Sequence, residues 1–360
     1  MKRFLVVIGT RPCAIKLAPV IHALESQGAT VDVLFTGQHG DILGKCLDSL
    51  RIKPTVQFFR FNGSPLAYRV GRMICDIADR ICCEHYDAVV VVGDTISGMA
   101  GAMAGAFADV PVAHVEAGLR THYREPWPEE MIRRSIDSMA TWCFAPTKAA
   151  WGNLLREGID DFSIWHTGNT VVDSLRDLGI FRNKSPLETV LVTIHRRENW
   201  KHVPEVAALV GELAARFPHV QFSWPVHANP EIAGTVRGLC SNFANITLSD
   251  PLPYDLFMQQ LAAAHLVITD SGGIQEEAAV LGVPTLVIRS NTERPEAIAA
   301  GVSKLETPLS FFKTAERLLG NPAELSAMER TTDAFGDGHA GERIAEVLVY
   351  GDCRMGELPL

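Results

Sequence analysis

The residues Ser271, Gly272 and Gly273 form the segment of the sequence with the clearest chemistry. They follow a short apolar run, Leu266–Thr269, and precede a helical pattern over Ile274–Leu281. A strand that passes through two glycines into a helix presents backbone N–H groups and the positive end of the helix dipole to one point. The spacing therefore favours a phosphate-binding turn, with an ordinary strand–turn–helix as the alternative.

Two acidic residues, Glu276 and Glu277, lie within the first turns of that predicted helix. A carboxylate at this distance from a phosphate site can accept hydrogen bonds from a pair of sugar hydroxyls, as acidic residues do for ribose in other nucleotide-binding folds. The segment as a whole therefore suits a nucleotide.

A second candidate anion site follows the first apolar run. Gly9 permits a tight turn, Arg11 comes after it, and Pro12 suits the first turn of a helix that also carries Lys16. A cation at the N-terminus of a helix opposes the helix dipole. An anionic ligand therefore explains Arg11 better than helix stability does, with a surface arginine as the alternative.

Acidic residues follow two predicted strands and recur in a third segment. Asp94 follows the apolar run Ala88–Val92, Glu116 follows Val112–Val115, and Glu129 stands in the sequence PWPEE. One acid after a strand is usually a helix cap. Carboxylates that converge at one sheet edge push their pKa values apart, which provides a proton acceptor and a donor. The three together favour acid–base chemistry at a sugar.

Histidine and arginine follow strands in the second half of the chain. His195 and Arg196 come directly after the apolar run Val190–Ile194, and His227 also ends a predicted strand. In an acidic protein, this grouping favours anion recognition together with a proton carrier. For His227, a purely structural histidine is an equal alternative.

Composition excludes several classes of function. The chain has 360 residues, a length that indicates two domains. Its net charge of −9 argues against a nucleic-acid-binding surface. No apolar run has the length of a membrane span. The eight cysteines show neither C-x-x-C nor zinc spacing, so we expect reduced thiols, no metal and a cytoplasmic protein.

Apolar runs alternate with amphipathic segments along the whole chain. We predict helices over Cys13–Glu25, Leu66–Cys83 and Val203–Arg216, among others. The predicted strands are Arg3–Ile8, Val31–Thr36, Ala88–Val92, Val112–Val115, Trp142–Ala145, Ser163–His166, Val190–Ile194, Gln221–Trp224, Ile246–Leu248, Leu266–Thr269, Pro284–Val287 and Val302–Leu305. This pattern predicts an α/β fold of two Rossmann-like, doubly wound parallel-sheet domains. A polar linker is expected near Asn169–Pro186, and the ligand site is expected in an interdomain cleft.

The motifs lie in the order found in one known family. They are GTRPCAIKLAPVIHAL, GDT, HVEAGLRT, PWPEE, GNTVVDSL, HRREN, PVHANP, DSGGIQEEA, TERPEAIAAG and FGDGHAGERI. In this combination the chain resembles the non-hydrolysing UDP-N-acetylglucosamine 2-epimerases. The resemblance implies a GT-B-like fold with catalytic carboxylates in an N-terminal domain, 1–170, and UDP binding in a C-terminal domain, 171–345. It also implies a final helix that packs back on the N-terminal domain, before a tail at 350–360.

The same resemblance assigns roles to individual residues. It implies that Ser271, Gly272 and Gly273 bind the diphosphate and that Glu277 binds the ribose. The catalytic positions are Asp94, Glu116, Glu129 and His195, and further substrate-binding positions are Arg11, Lys16, Arg196, His227 and Arg294. The implied reaction removes the C2 proton, expels UDP to leave a glycal, and adds UDP back with the proton on the opposite face. It needs no cofactor, in agreement with the absence of a G-x-G-x-x-G fingerprint.

Partners are implied in the same way. They are a UDP-sugar substrate, a second UDP-sugar as activator near Gln38, Arg72, Arg196 and His227, and a second copy of the chain in a homodimer. Cys13, Ile132 and Ile194 stand where the family pattern has glutamate, asparagine and glycine. Alternatives therefore remain: the same reaction on another UDP-sugar such as UDP-glucose, a hydrolysing epimerase, a GT-B glycosyltransferase, or a catalytically silent UDP-sugar-binding protein.

Overall fold

A computed structural model describes residues 1–36, 47, 49–57 and 65–351 of the chain. These residues form two compact units. The first unit comprises Met1–Ser174 together with the chain from Ala334 onward, and the second comprises Leu175–Asp333.

The first unit contains a seven-stranded parallel sheet in the order β3-β2-β1-β4-β5-β6-β7. Its strands are β1 Arg3–Ile8, β2 Thr30–Phe35, β3 Val56–Gln57, β4 Ala88–Val92, β5 Val112–Val115, β6 Trp142–Ala145 and β7 Ile164–His166. Its helices are α1 Arg11–Ser26, α2 Leu66–Cys83, α3 Ile96–Phe107, α4 Glu129–Met139, α5 Lys148–Arg156, most of α6 Thr170–Asp177, and α14 Ala340–Tyr350. Every residue of β4 and β5 is buried, as expected for parallel strands covered on both faces.

The second unit repeats the plan with a six-stranded parallel sheet in the order β10-β9-β8-β11-β12-β13. Its strands are β8 Thr189–Thr193, β9 Gln221–Pro225, β10 Ile246–Ser249, β11 Leu266–Thr269, β12 Thr285–Ile288 and β13 Ser303–Glu306. Its helices are α7 Val203–Arg216, α8 Pro230–Cys240, α9 Tyr254–Ala263, α10 Gly272–Leu281, α11 Pro295–Ala299, α12 Ser310–Gly320 and α13 Pro322–Ala327. The predicted fold class of two Rossmann-like, doubly wound sheets is confirmed.

The chain completes the first unit with α14, its last described helix. Gly341 lies against α1 so closely that an added Cβ would stand 2.8 Å from Pro19. The Asp173 carboxylate accepts hydrogen bonds from the backbone N–H groups of Ala340, at 3.2 Å, and Gly341, at 2.8 Å. A buried carboxylate therefore caps α14 and fixes it beside α1.

The two units divide between Ser174 and Leu175, within the stretch Asn169–Pro186 that the sequence marked as polar and turn-rich. The first part of that stretch is the helix α6, and Val171, Asp173 and Leu175 are buried in it. Its polar residues look like a linker in the sequence because their partners lie far away in the chain: the Ser174 hydroxyl donates to the carbonyl of Ile15 at 2.8 Å.

The remaining predicted elements agree with the structure to within one or two residues at each end, which is the usual uncertainty of helix and strand limits. The two-residue strand β3 was missed. Of the predicted tail, Tyr350 ends α14, and residues 352–360 lie outside the described part. Among the residues that the structure describes, no helix combines the length and apolarity needed to cross a membrane.

Candidate active site

Asp94 stands at the carboxyl end of β4. It follows Gly93, whose backbone has a left-handed φ of 65°, and its carboxylate forms an ion pair with the guanidinium of Arg133 from α4. The Arg133 side chain is buried, whereas 32% of the Asp94 side chain is exposed. The ion pair therefore holds a carboxylate at the sheet edge with part of its surface open to a ligand.

Glu116 occupies the equivalent place after β5. Its backbone φ of 67° is uncommon for a residue with a side chain. Its carboxylate is buried, pairs with Lys16 from α1, and accepts a hydrogen bond from Asn169 Nδ2 at 3.3 Å. A Cβ at position 93 would lie 3.1 Å from Glu116 Oε2, so a glycine there leaves room for this carboxylate.

The two acids of the PWPEE segment differ in their surroundings. Glu130 is buried, and its carboxylate accepts hydrogen bonds from the backbone N–H groups of Thr121 at 3.1 Å and His122 at 3.3 Å. Glu129 is the first residue of α4 and is half-buried. Glu130 therefore fixes the preceding loop, while Glu129 keeps the predicted place as the third candidate acid.

The helix α1 begins at Arg11, which is half-buried. Lys16 lies one turn further, and the structure places its ammonium on Glu116, among the candidate catalytic acids. Cys13, between them, has a buried thiol whose Sγ is 3.1 Å from Thr10 Oγ1. Of the two predicted cations in this segment, Lys16 thus serves a carboxylate of its own unit.

The other two departures from the family pattern are core residues. Ile132 is 1% exposed and packs in the apolar core of the first unit, and Ile194 is 3% exposed and packs in that of the second. Both substitutions therefore change packing behind the sheet edges. Of the predicted activator residues, Arg72 is an exposed residue of α2 paired with Asp76 at 2.8 Å, and Gln38 lies outside the described residues.

In the second unit, the predicted phosphate-binding turn is the N-terminus of α10. Ser271 is the N-cap, and its Oγ lies 3.5 Å from the backbone nitrogen of Ile274. The first N–H groups of a helix have no partner within the helix. An added Cβ at Gly273 would meet no atom within 4 Å, so the space beside this turn is open. The turn therefore has the donors and the room that an anion requires.

A buried ionic network lies beneath this turn. Glu276 Oε1 accepts from Arg294 Nε at 2.8 Å, and Glu293 pairs with Arg294, with Arg289 at 2.8 Å and with Arg196 at 3.5 Å. A Cβ at Gly272 would stand 2.7 Å from Arg294 Nη1. Arg196 also pairs with Glu198 at 3.6 Å, so three arginines face three glutamates and the helix dipole is the source of positive potential at the turn.

The candidate ribose ligand Glu277 is also buried in α10. The hydroxyl of Tyr254, the first residue of α9, donates to Glu277 Oε1 at 2.7 Å. This hydrogen bond connects the start of α9 to Glu277. The tyrosine orients the carboxylate, which keeps acceptor capacity for another donor.

His195 is held at the end of β8 by a buried aspartate. Asp270 is 0% exposed, and its carboxylate accepts from the backbone N–H groups of His195 and Arg196 and from Asn199 Nδ2, each at 3.0 Å. Because Ser271 follows Asp270 directly, one residue joins the candidate proton carrier to the phosphate-binding turn.

The protonation of His195 follows from its surroundings. Desolvation lowers the pKa of His195, and Asp270 opposes this effect while Arg196 and His227 reinforce it. The net shift is downward. Since 42% of the side chain is exposed, water moderates the shift. The ring is therefore mainly neutral at pH 7, as a proton acceptor must be.

His227 lies close to His195 in the same unit. Its ring is 5.6 Å from the ring of Trp200, and its Nδ1 accepts from the backbone N–H of Asn229 at 3.0 Å. Trp200 Nε1 in turn donates to the carbonyl of His195 at 3.3 Å. His227 therefore supports the His195 segment through an aromatic contact, and its other ring nitrogen is left for a further donor or acceptor role.

Several partners in these sites were missed in the sequence. Arg133, Asp270 and Tyr254 each form a hydrogen bond or ion pair with a candidate site residue. Only Asp270 is adjacent in the sequence to residues with an assigned role. The signal for Asp270 was available: an acid buried at the end of an apolar run needs several donors.

Two doubly wound sheets with charged side chains and a glycine turn at their carboxyl edges are typical of proteins that bind an anionic, nucleotide-like ligand. The UDP-N-acetylglucosamine 2-epimerase family model matches residues 22–349. The chain is 35% identical to UDP-N-acetylglucosamine 2-epimerase from Campylobacter jejuni, over 98% of each protein. Two solved structures are similar to it. The UDP-GlcNAc 2-epimerase from Neisseria meningitidis, bound to UDP-GlcNAc, has a TM-score of 0.91 at 35% identity and covers 97% of this chain and 100% of that one.

The second structure is the UDP-GlcNAc 2-epimerase from Methanocaldococcus jannaschii in complex with UDP-GlcNAc and UDP. Its TM-score is 0.85 at 32% identity, with 98% of this chain and 100% of that chain covered. The chain therefore belongs to the UDP-N-acetylglucosamine 2-epimerase family, whose members are isomerases. This finding confirms the resemblance seen in the motifs.

Proposed function

We propose that this protein interconverts UDP-N-acetylglucosamine and UDP-N-acetylmannosamine. In this proposal the second unit binds UDP, with the diphosphate at Ser271–Gly273 and the ribose on Glu277. The first unit acts on the sugar through Asp94, Glu116 and Glu129. The family match over residues 22–349 supports the overall reaction, and the local geometry supports the division of roles.

The reaction proceeds by elimination and addition. A carboxylate base removes the C2 proton, the bond between C1 and the diphosphate oxygen breaks, and the electron pair of the C2–H bond forms the C1=C2 double bond of a glycal. UDP leaves with the bond electrons, stabilised by the N–H groups and the positive end of the helix dipole at α10. UDP then adds back to C1 while a proton is delivered to the opposite face of C2.

One observation carries this proposal: both candidate acids at the strand ends of the first unit are already paired with cations. Asp94 is paired with Arg133 and Glu116 with Lys16. A neighbouring cation favours the ionised form of a carboxylate. The unit thus offers proton acceptors at two strand ends, as proton removal from carbon requires.

Turnover in heavy water tests the mechanism. UDP-N-acetylglucosamine is incubated with the protein in D₂O, and C2 of both epimers is examined by NMR. We expect solvent deuterium at C2 of the product and, with time, of the substrate. Epimerisation without deuterium at C2 would contradict the elimination mechanism. The same reaction run on UDP-glucose decides whether another UDP-sugar is the better substrate.

The product mixture separates the alternative functions. Free sugar that accumulates together with UDP indicates a hydrolysing epimerase. Transfer to an acceptor without C2 exchange indicates a glycosyltransferase. Tight UDP binding without exchange or turnover on a panel of UDP-sugars indicates a catalytically silent binding protein.

Regulation and assembly form a further part of the proposal. A second UDP-sugar acts as an activator with Arg72, and the protein works as a homodimer. Rates measured with UDP-N-acetylmannosamine alone should then rise when a trace of UDP-N-acetylglucosamine is added, and light scattering should give twice the mass of the chain. A hyperbolic rate curve unaffected by the trace ligand, or a monomer mass, would contradict these two points.

A further inference from the structure

A buried polar cluster lies behind the candidate acids of the first unit. It consists of His114 on β5, Arg120 after β5, and Asp137 on α4, which are 0%, 4% and 2% exposed. No role in substrate binding or proton transfer falls to any of them. Polar groups so deeply buried are costly unless they are fully paired, so their partners show what they do.

The Asp137 carboxylate receives three donors. His114 Nδ1 is 2.6 Å from Oδ1, Arg120 Nη2 donates to Oδ2 at 2.6 Å, and the backbone N–H of Gly118 donates to Oδ2 at 3.3 Å. Burial raises the pKa of Asp137, but His114 and Arg120 together lower it more, so the net shift is downward. Asp137 is therefore an ionised acceptor inside the unit.

The second nitrogen of His114 faces a group that can only accept. Nε2 lies 2.8 Å from the carbonyl oxygen of Gly93, and a carbonyl oxygen has no proton to give. Nε2 must therefore donate to this carbonyl. Nδ1 completes the link to the Asp137 carboxylate at 2.6 Å. His114 thus joins the Gly93 carbonyl to Asp137 through its two ring nitrogens.

The partners of this cluster are the turns that carry the candidate acids. Gly93 directly precedes Asp94, and Gly118 follows two residues after Glu116. Both turns use left-handed backbone, with φ of 65° at Gly93 and 67° at Glu116. Gly118 is also fixed by packing, since a Cβ there would stand 2.3 Å from the carbonyl oxygen of Ala150. His114 and Asp137 therefore tie the β4 turn and the β5 turn to one point on α4.

We propose that His114, held in place by Asp137, is a positioning residue that sets Asp94 and Glu116 for proton transfer at C2. It touches no substrate. It acts through the Gly93 carbonyl, while Asp137 holds the Gly118 N–H beside Glu116. The proposal rests on the proposed epimerase function.

Three variants test the positioning. His114→Leu removes both ring nitrogens, and His114→Gln keeps an N–H for the Gly93 carbonyl. Val89→Ala, in the buried core of the same sheet, is the matched control for lost packing. Their kcat, KM and C2 exchange rates are measured, together with UDP affinity.

We expect His114→Leu to lower kcat and C2 exchange by about 100-fold, the cost of a displacement of about 1 Å in a catalytic group. KM and UDP affinity should stay within about twofold, because ground-state binding is intact. His114→Gln should recover at least part of the lost kcat. If His114→Leu does not fold, Asp137→Asn takes its place with the same expected split between kcat and KM.

Three kinetic results would overturn the proposal. They are a fall in kcat no larger than that of Val89→Ala, a loss that appears equally in KM and UDP affinity, and a glutamine variant no better than leucine. These kinetic results are interpreted only if the unchanged protein shows C2 exchange. Absence of exchange in the unchanged protein overturns the epimerase function instead.

The hydrogen bond from His114 to the β4 turn is tested without activity. Histidine is labelled with ¹⁵N, and the His114 ring signals are assigned by their loss in His114→Gln. We expect Nε2 to carry a proton that exchanges slowly with solvent, because it donates to the buried Gly93 carbonyl. An Nε2 without a proton in the unchanged protein would overturn the link to the Gly93 turn, whatever the kinetics show.

Discussion

The two units share one topology, but the carboxyl edges of their sheets carry different functional groups. In the first unit the acids after the strands reach the edge and are matched by cations, and 32% of the Asp94 side chain remains exposed. In the second unit the acid after β11, Asp270, is 0% exposed and turns inward to hold backbone N–H groups. The edge of the second unit is left with N–H donors and an open glycine.

The contrast shows that the position of an acid after a strand does not fix its role. The role depends on which groups donate hydrogen bonds to the carboxylate. Donors from side chains at the edge leave a carboxylate available for proton transfer, whereas donors from the buried backbone turn it into an anchor for its neighbours. With the proposed roles, one fold supplies both a chemical edge in the first unit and an anion-binding edge in the second.

The largest expected effect is on the chemical edge. Glu116→Gln keeps the size of the side chain but removes the charge that pairs with Lys16, so kcat for epimerisation should fall by about 10³-fold. UDP affinity, measured by calorimetry, should stay unchanged. The exposed Glu25→Gln on α1 is the control and should retain activity. A glutamine variant at 116 with nearly full kcat would remove the chemical role of this edge.

A smaller effect is expected from the inward anchor. Asp270→Asn leaves one oxygen to serve three donors and places an NH₂ group among them, which should lower the free energy of unfolding by about 2–3 kcal/mol. Thermal denaturation should show this as a Tm lower by about 5–10 °C. Asp250→Asn, which breaks an exposed pair with Arg237, should leave Tm unchanged.

Equal Tm values for these two variants would show that the buried Asp270 carboxylate contributes no more to stability than the exposed Asp250 carboxylate. The result is independent of catalysis, because only unfolding is measured.

The anion-binding edge should respond to the loss of open space. Gly273→Ala places a methyl group where no protein atom lies within 4 Å, so the fold is preserved but the ligand is displaced. UDP affinity should fall by about tenfold, which corresponds to about 1.4 kcal/mol. Gly234→Ala on α8 also meets no atom within 4 Å and is the matched control. Unchanged affinity in Gly273→Ala would move the diphosphate away from this turn.

The smallest effect concerns pH. The pKa of His195 is lowered in the folded protein, so the unfolded chain binds more protons as pH falls through about 6.5. The stability linked to His195 is therefore present above this pH and is lost as pH falls through the lower, folded pKa. His195→Asn should show a shallower loss of Tm between pH 7 and pH 5.5. A steeper loss would reverse the direction of the shift.

The sequence predicted the strands and the acids that follow them because both signals are local. A buried parallel strand is a continuous apolar run, and the residue that breaks the run is visible without knowing the fold. Thus the limits of Ala88–Val92 and Val112–Val115 and the places of Asp94 and Glu116 were predicted correctly.

The partners of those acids could not be predicted because nothing local marks them. Lys16 meets Glu116 one hundred residues away, and Arg133 meets Asp94 from a helix 39 residues further along the chain. In the sequence Arg133 looks like an ordinary helix-surface residue, and Lys16 was assigned to the substrate rather than to a carboxylate. The same reason explains why the sequence did not show the helix α6 at the unit boundary, since its polar side chains have their partners in α1 and α14.

The contact of α14 with α1 has a consequence for how the protein is made. Residues 340–350 leave the ribosome after the whole second unit has been synthesised, yet Gly341 must lie against Pro19 before α1 is fully covered. The unit that is translated first is therefore the last that can be completed. Lys16 lies on the same helix, so Glu116, a proposed catalytic carboxylate, acquires its final surroundings only when the chain is nearly finished.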